Sequence, residues 1–238
     1  MGRRMWAAAG LSAALVLGGV AVADSVLASR VESALARPGQ RADVAGFPYA
    51  AHAVLGKLLR VSVEQLDADL PGGGVGTLGV DVLDYVPVNP AQLLSGDFGA
   101  GEAGLARRRL RLDPVGFGEL LGMSDLDLAN PYDISPAGRS ASEAQLTATV
   151  PGLGTRETAV VTLRLDQGVF TMRPSALIGV SPEDEDAVVE AFTLTLDTRE
   201  LPLGGPADKV QLVGGSIEFS HDRINTDVDA ADFDPRVG

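Results

Sequence analysis

Three arginines at alternate positions, Arg107, Arg109 and Arg111, are the most unusual chemical cluster in the sequence. If Ala106 to Leu112 is a strand, they share one face about 7 Å apart, and their guanidinium groups would suit a lipid phosphate or an acidic glycan. The competing reading is a solvated strand face whose charge discourages edge pairing.

Signatures of catalysis are sparse. There is no cysteine, which removes thiolate nucleophiles, thiolate metal sites, a disulfide framework and an acylated lipoprotein cysteine. Neither G-x-S-x-G nor S-x-x-K occurs, and the stretch beginning Gly122-Met123-Ser124-Asp125 lacks the final glycine of a nucleophile elbow. The two histidines, His52 and His221, are far apart and in no metal-ligand spacing. His52 lies in an apolar helical run, which suits a core or groove-lining residue; His221 adjoins Asp222 and suits a surface role. Two G-x-G-x-x-G matches, at Gly74-Gly76-Gly79 and Gly99-Gly101-Gly104, lead into strand-like sequence rather than a helix, so they do not read as dinucleotide sites. The acidic run Asp227, Asp229, Asp232 and Asp234 lacks the central glycine and final bidentate acid of a helix-loop-helix calcium site. No catalytic residue, cofactor or metal site is therefore assigned, and the chain is not read as an enzyme.

The formal charge is −13. A balance that acidic argues against nucleic acid as a partner, which needs a basic footprint. Apolar residues make up 45% of the chain, enough for a real core.

The elements that must position these residues begin with a membrane signal. Arg3 and Arg4 precede Met5 to Ala23, a stretch with no ionisable residue. As a helix it would span about 28 Å, close to the hydrocarbon thickness of a bilayer. The flanking charges place the N-terminus in the cytoplasm and everything after Asp24 outside, on the periplasmic or cell-wall side. Two readings compete for residues 1–23. The length favours an uncleaved signal-anchor; Ala21-Val22-Ala23 fits a signal peptide, whose cleavage after Ala23 would make the protein secreted.

From Asp24 to Arg37, Leu27, Val31, Ala34 and Leu35 fall on one face of an amphipathic helix that Pro38-Gly39 ends. A short helix from Tyr49 to Lys57 opens after Pro48. The period then changes to two. Strands are expected through Leu59 to Leu70, Leu78 to Val82, Ala106 to Leu112, Ala144 to Val150, Ala159 to Leu165, Val169 to Arg173, Phe192 to Leu196, and Val210 to Phe219 as the last. Asp166-Gln167-Gly168 reads as a hairpin loop, and helical insertions are expected at Pro90 to Leu94 and Pro114 to Leu121. Alternation with one polar face implies antiparallel sheet covered on one side, and the phase slips imply bulges. Residues 227–238 read as an acidic disordered tail.

The order of short motifs resembles one known family. Asp43-Val44-Ala45-Gly46-Phe47-Pro48 follows the amphipathic helix. Gly56-Lys57-Leu58 and Val61-Ser62-Val63-Glu64 come next, and Leu201-Pro202 precedes Val213-Gly214-Gly215-Ser216-Ile217. This pattern, from about Ala28 to Asn225, is similar to that of the LmeA-like phospholipid-binding proteins of the actinobacterial cell envelope. The resemblance implies an α+β, TULIP-like fold over residues 24–226: a long, curved, mostly antiparallel sheet rolled around the N-terminal amphipathic helix, with an apolar groove. It implies phospholipid as the ligand and a link to envelope lipoglycan or mannan assembly and the proteins of glycan synthesis; the membrane is expected as a partner through the apolar residues 5–23. On that reading Phe47, Tyr49, Val54 and Leu55 line the groove, and Arg107, Arg109 and Arg111 contact the head group. The chain departs from the family at Tyr49-Ala50-Ala51-His52 and at Gly204-Gly205-Pro206. Two alternatives stand beside a lipid binder: an accessory factor or enzyme of envelope glycan synthesis, and a structural envelope scaffold with no ligand.

Overall fold

The computed structural model describes residues 22–70, 74–131 and 142–237. Among the described residues no helix is long and apolar enough to cross a membrane. The expected spanning segment, Met5 to Ala23, lies outside the described residues except for its last two.

Helix α1 is described over 22–35 and is followed by β1 (Gln40–Ala45) and α2 (Tyr49–Leu55). Next come β2 (Leu58–Asp69), β3 (Val75–Pro87), α3 (Gln92–Ser95), β4 (Gly101–Leu112), α4 (Pro114–Leu121) and β5 (Asp127–Ala129). The chain ends with β6 (Glu143–Thr149), β7 (Arg156–Asp166), β8 (Val169–Ile178), α5 (Glu185–Ala191), β9 (Leu194–Asp197), β10 (Lys209–Val213) and β11 (Ser216–Val228). The strands form two open, mostly antiparallel sheets, ordered β1-β2-β3-β4-β11-β10 and β5-β6-β7-β8-β9. The expected α+β class with an N-terminal helix holds. In place of one long sheet there are two.

The chain divides into two compact units. Among the described residues, unit 1 takes those within 1–63, 81–106 and 223–234, and unit 2 those within 64–80, 107–222 and 235–238. Unit 2 carries the larger core. Leu110 and Leu112 from β4, Ala144, Leu146 and Ala148 from β6, Ala159, Val161 and Leu163 from β7, and Phe170 and Met172 from β8 are all buried. These are the inward positions of the period-two pattern, and their outward neighbours stay wet, as one-sided sheets require. Phe170 and Phe219 meet edge to face at 5.0 Å between ring centroids.

The loop between β7 and β8 is the expected hairpin. Asp166 pairs with Val169, and Gln167 and Gly168 have φ of 48° and 82°, the two positive values of a tight turn that matches strand twist. A register shift at Val160/Val161 leaves Ser175 extra on β8, beside Pro174, which cannot donate to the ladder.

Two expectations are corrected. Val210 to Phe219 is not one strand. It is split by Gly214-Gly215, whose φ values of 57° and 76° turn the chain so that Val213 pairs with Ser216. The residues expected as a disordered tail from Asp227 complete β11 and then form a 3-10 turn, Ala230–Phe233. Asp229 and Asp232 close that turn with a reciprocal capping box. Phe233 is buried against Tyr85 and Phe98, at centroid distances of 5.1 and 5.5 Å. Asp234 accepts hydrogen bonds from Arg37 and from Gln40. Acidic composition signalled disorder; one aromatic anchor and paired carboxylates outweigh it.

Candidate functional site

On β4 the three arginines do share a face, and each meets a carboxylate from a strand remote in sequence. Arg107 Nε and Nη2 donate to the two Asp222 oxygens, both at 2.7 Å. Arg109 Nη2 donates to Glu64 Oε1 at 2.6 Å, and Arg111 Nη2 to Glu218 Oε2 at 2.9 Å. The bidentate Arg107 pair holds the Asp222 carboxyl below its ordinary range, by hydrogen bonding first and by charge second. Arg108 faces the other way and is buried, the position its alternation with Ala106 and Leu110 assigns. The arginine row is therefore a ladder of ion pairs within unit 2.

Arg111 lines a cleft of about 500 Å³. Asp67, Thr77, Asp113 and Ser216 supply its other polar groups, and Val75 and Val115 its apolar wall. That volume lies within the range of small-molecule sites. Asp113 also caps α4, accepting from Gly116 N–H at 2.8 Å. The partner of Arg111, Glu218, is nearly buried and accepts from Gln211 Nε2 at 2.9 Å through its other oxygen. Arg111 Nε is buried with no hydrogen-bond partner among the described residues. The cleft thus combines one cation, two carboxylates and two hydroxyls. Chemically it can bind a group carrying both signs of charge. A second cleft of about 360 Å³ on the polar face of β7 and β8 is lined by Thr162, Arg164, Thr171, Arg173 and Pro174.

The apolar residues expected to line a groove lie in unit 1, on and beside α2. Tyr49 is buried there. Its hydroxyl donates to the Leu93 carbonyl, and burial pushes its pKa up to about 12, with Glu32 adding to the effect. Phe47, Val54 and Leu55 are 72%, 85% and 77% exposed, so they form an open apolar surface rather than the wall of a closed cavity. His52 is half-buried and packs on Gly46, where a Cβ would come within 2.7 Å of its ring. With φ at 133°, Gly46 also holds a backbone conformation that side chains resist. These contacts give the Gly-Phe-Pro element a structural reason within α2's surroundings.

One residue that sequence reasoning did not single out is central to this region. Asp24 is buried, and its two oxygens accept from Tyr49 N–H at 2.8 Å and Ala50 N–H at 2.7 Å. Pro48 at the N-cap position provides no side-chain cap, so Asp24 supplies it from 25 residues upstream. Its position directly after an apolar segment was the only available signal. Among the described residues no cluster of three or more His, Cys, Asp or Glu could hold a metal ion.

Two open, mostly antiparallel sheets with an N-terminal helix define a protein of α+β class. A family model for LmeA-like phospholipid-binding proteins matches residues 15–220, most of the chain, and the protein belongs to that family. The family is a phospholipid-binding one rather than a known enzyme family. No curated protein and no solved structure matches the chain.

Proposed function

We propose that the protein binds phospholipid on the extracytoplasmic side of a membrane to which its N-terminal segment ties it, and that the Arg111 cleft takes the head group. Family membership supports the ligand class. The observation that carries the site is Arg111, a cation that lines the cleft together with the carboxylates of Asp67 and Asp113. A phosphate would pair with the guanidinium, and the ammonium of a zwitterionic head group with a carboxylate. Arg107 and Arg109 are held by Asp222 and Glu64, and on this reading they are structural. Membrane attachment through residues 5–23 is supported by their apolar sequence and by the arginines that precede them. A role in envelope lipoglycan or mannan assembly rests on the family resemblance alone.

The test compares Arg111→Gln with Arg107→Gln in the full chain, purified in mild detergent and offered phosphatidylethanolamine. Native mass spectrometry should show lipid lost from the first variant and kept by the second. Equal retention by both would reject the Arg111 assignment.

A further inference from the structure

We propose that the α2 tip of unit 1 is seated in the interfacial layer of a phospholipid bilayer. The contact would be a second one with the membrane, beside the N-terminal segment; it rests on the reading that this segment lies in the membrane. Helix α2 buries only Tyr49 and Ala53. At about 100° per residue, Ala50, Ala51, Val54 and Leu55 fall in one arc of about 140°. All four are exposed and none is polar, and Phe47 and Pro48 extend the same apolar run. Scattered exposed apolar side chains are ordinary, but a helix face made entirely of them indicates a covering partner.

Two observations commit that partner to lipid. The first is where the chain outside the described residues ends. The apolar segment Met5 to Ala23 runs directly into Asp24, whose carboxylate bonds both backbone N–H groups that open α2. Consecutive Cα atoms are about 3.8 Å apart, so a segment leaving the bilayer at Ala23 holds the first turn of α2 close to the lipid surface. Val22 and Val26, on either side of that tether, are themselves exposed, at 65% and 47%.

The second observation is that the backbone N–H groups at both ends of α2 are bonded. Asp24 closes the N-terminus. At the other end Gly56 N–H donates to Ala53 and Lys57 N–H to His52. Unpaired backbone N–H groups are costly where water is scarce. Lys57, the next residue, is half-exposed and paired with Asp84 at 2.7 Å, which suits a position at the polar boundary. Helix α2 itself carries no lysine or arginine, so insertion should be driven by apolar burial and not by anionic lipid.

Because the chain has no cysteine, single labels can be placed without background. Phe47→Cys, Val54→Cys, Leu55→Cys and, as control, Ala230→Cys would each carry an environment-sensitive fluorophore. Ala230 is exposed and lies in the turn whose neighbour Asp234 bonds Arg37, beyond the opposite end of α1 from Val22. The full chain is reconstituted in phosphatidylcholine vesicles. The expected result is a blue shift at 47, 54 and 55 and loss of most of that emission with brominated phosphatidylcholine, at low and high salt alike. The control should stay red and unquenched. Aqueous emission at all three tip sites would overturn the proposal. So would a blue shift that bromolipid does not quench and that grows with protein concentration, the sign of a second copy on the face. Equal quenching at Ala230 would also overturn it. Lipid extracted from the same detergent-purified protein separates the two readings: its absence would sink phospholipid binding without altering the quenching pattern.

Discussion

Replacing Asp24 by alanine removes the cap that joins α1 to α2. Two backbone N–H groups, of Tyr49 and Ala50, would lose charge-assisted bonds of 2.8 and 2.7 Å in a buried setting. Bonds to a charged group contribute about 1.5 kcal/mol each at the lower end of their range, so the loss is about 3 kcal/mol. Asp24→Asn keeps one neutral acceptor, which retains about 1 kcal/mol of this and leaves a loss of about 2 kcal/mol. The effect should be local first, because α2 buries only two side chains. Hydrogen exchange on the full chain in detergent is the assay. An opening made about 3 kcal/mol easier speeds exchange of the α2 amides by about two powers of ten. Amides of β6 and β7, in unit 2, should be unchanged. Exchange within about threefold of the parent in Asp24→Ala would refute the cap, since 0.6 kcal/mol is less than one such bond.

Gly46→Ala should destabilise by about 1–3 kcal/mol, because its Cβ would meet the His52 ring at 2.7 Å in a positive-φ conformation; chemical denaturation reads this directly. The Asp222 carboxyl titrates below its ordinary value because of Arg107, so its stabilising contribution is present above about pH 3.9 and is lost as pH falls through the lower folded value. Arg107→Gln should therefore lower the denaturation midpoint at pH 7, and its difference from the parent should shrink below about pH 4. Tyr49, with its pKa pushed up to about 12, should remain protonated in folded protein when exposed tyrosines have ionised. The unfolded chain releases that proton near pH 10, so stability should fall between about pH 10 and 12, and Tyr49→Phe should remove that part of the slope.

The legible parts of the fold were those whose cause is local. Ala144, Leu146, Ala148 and Val150 alternate with polar residues, and all four are buried. The Gln167-Gly168 turn and α4 between Pro114 and Leu121 stand where turn and cap chemistry put them. What escaped was non-local. The partners of Arg107, Arg109 and Arg111 lie 115, 45 and 107 residues away, so the same row reads equally well as a free cationic face. Phe233 is one aromatic among acids, and only Tyr85 and Phe98 turn its segment into structure. The Gly214-Gly215 turn is a different case. A double glycine between alternating runs is a hairpin signal, and the strand-like residues on both sides masked it.

The central claim is that this chain binds phospholipid. The most direct measurement is mass spectrometry of the full chain purified in mild detergent, with lipid identified after extraction. The expected result is phospholipid retained in fixed proportion to protein and released by Arg111→Gln. Repeated preparations free of lipid, together with no uptake from phosphatidylethanolamine or phosphatidylcholine vesicles, would contradict it.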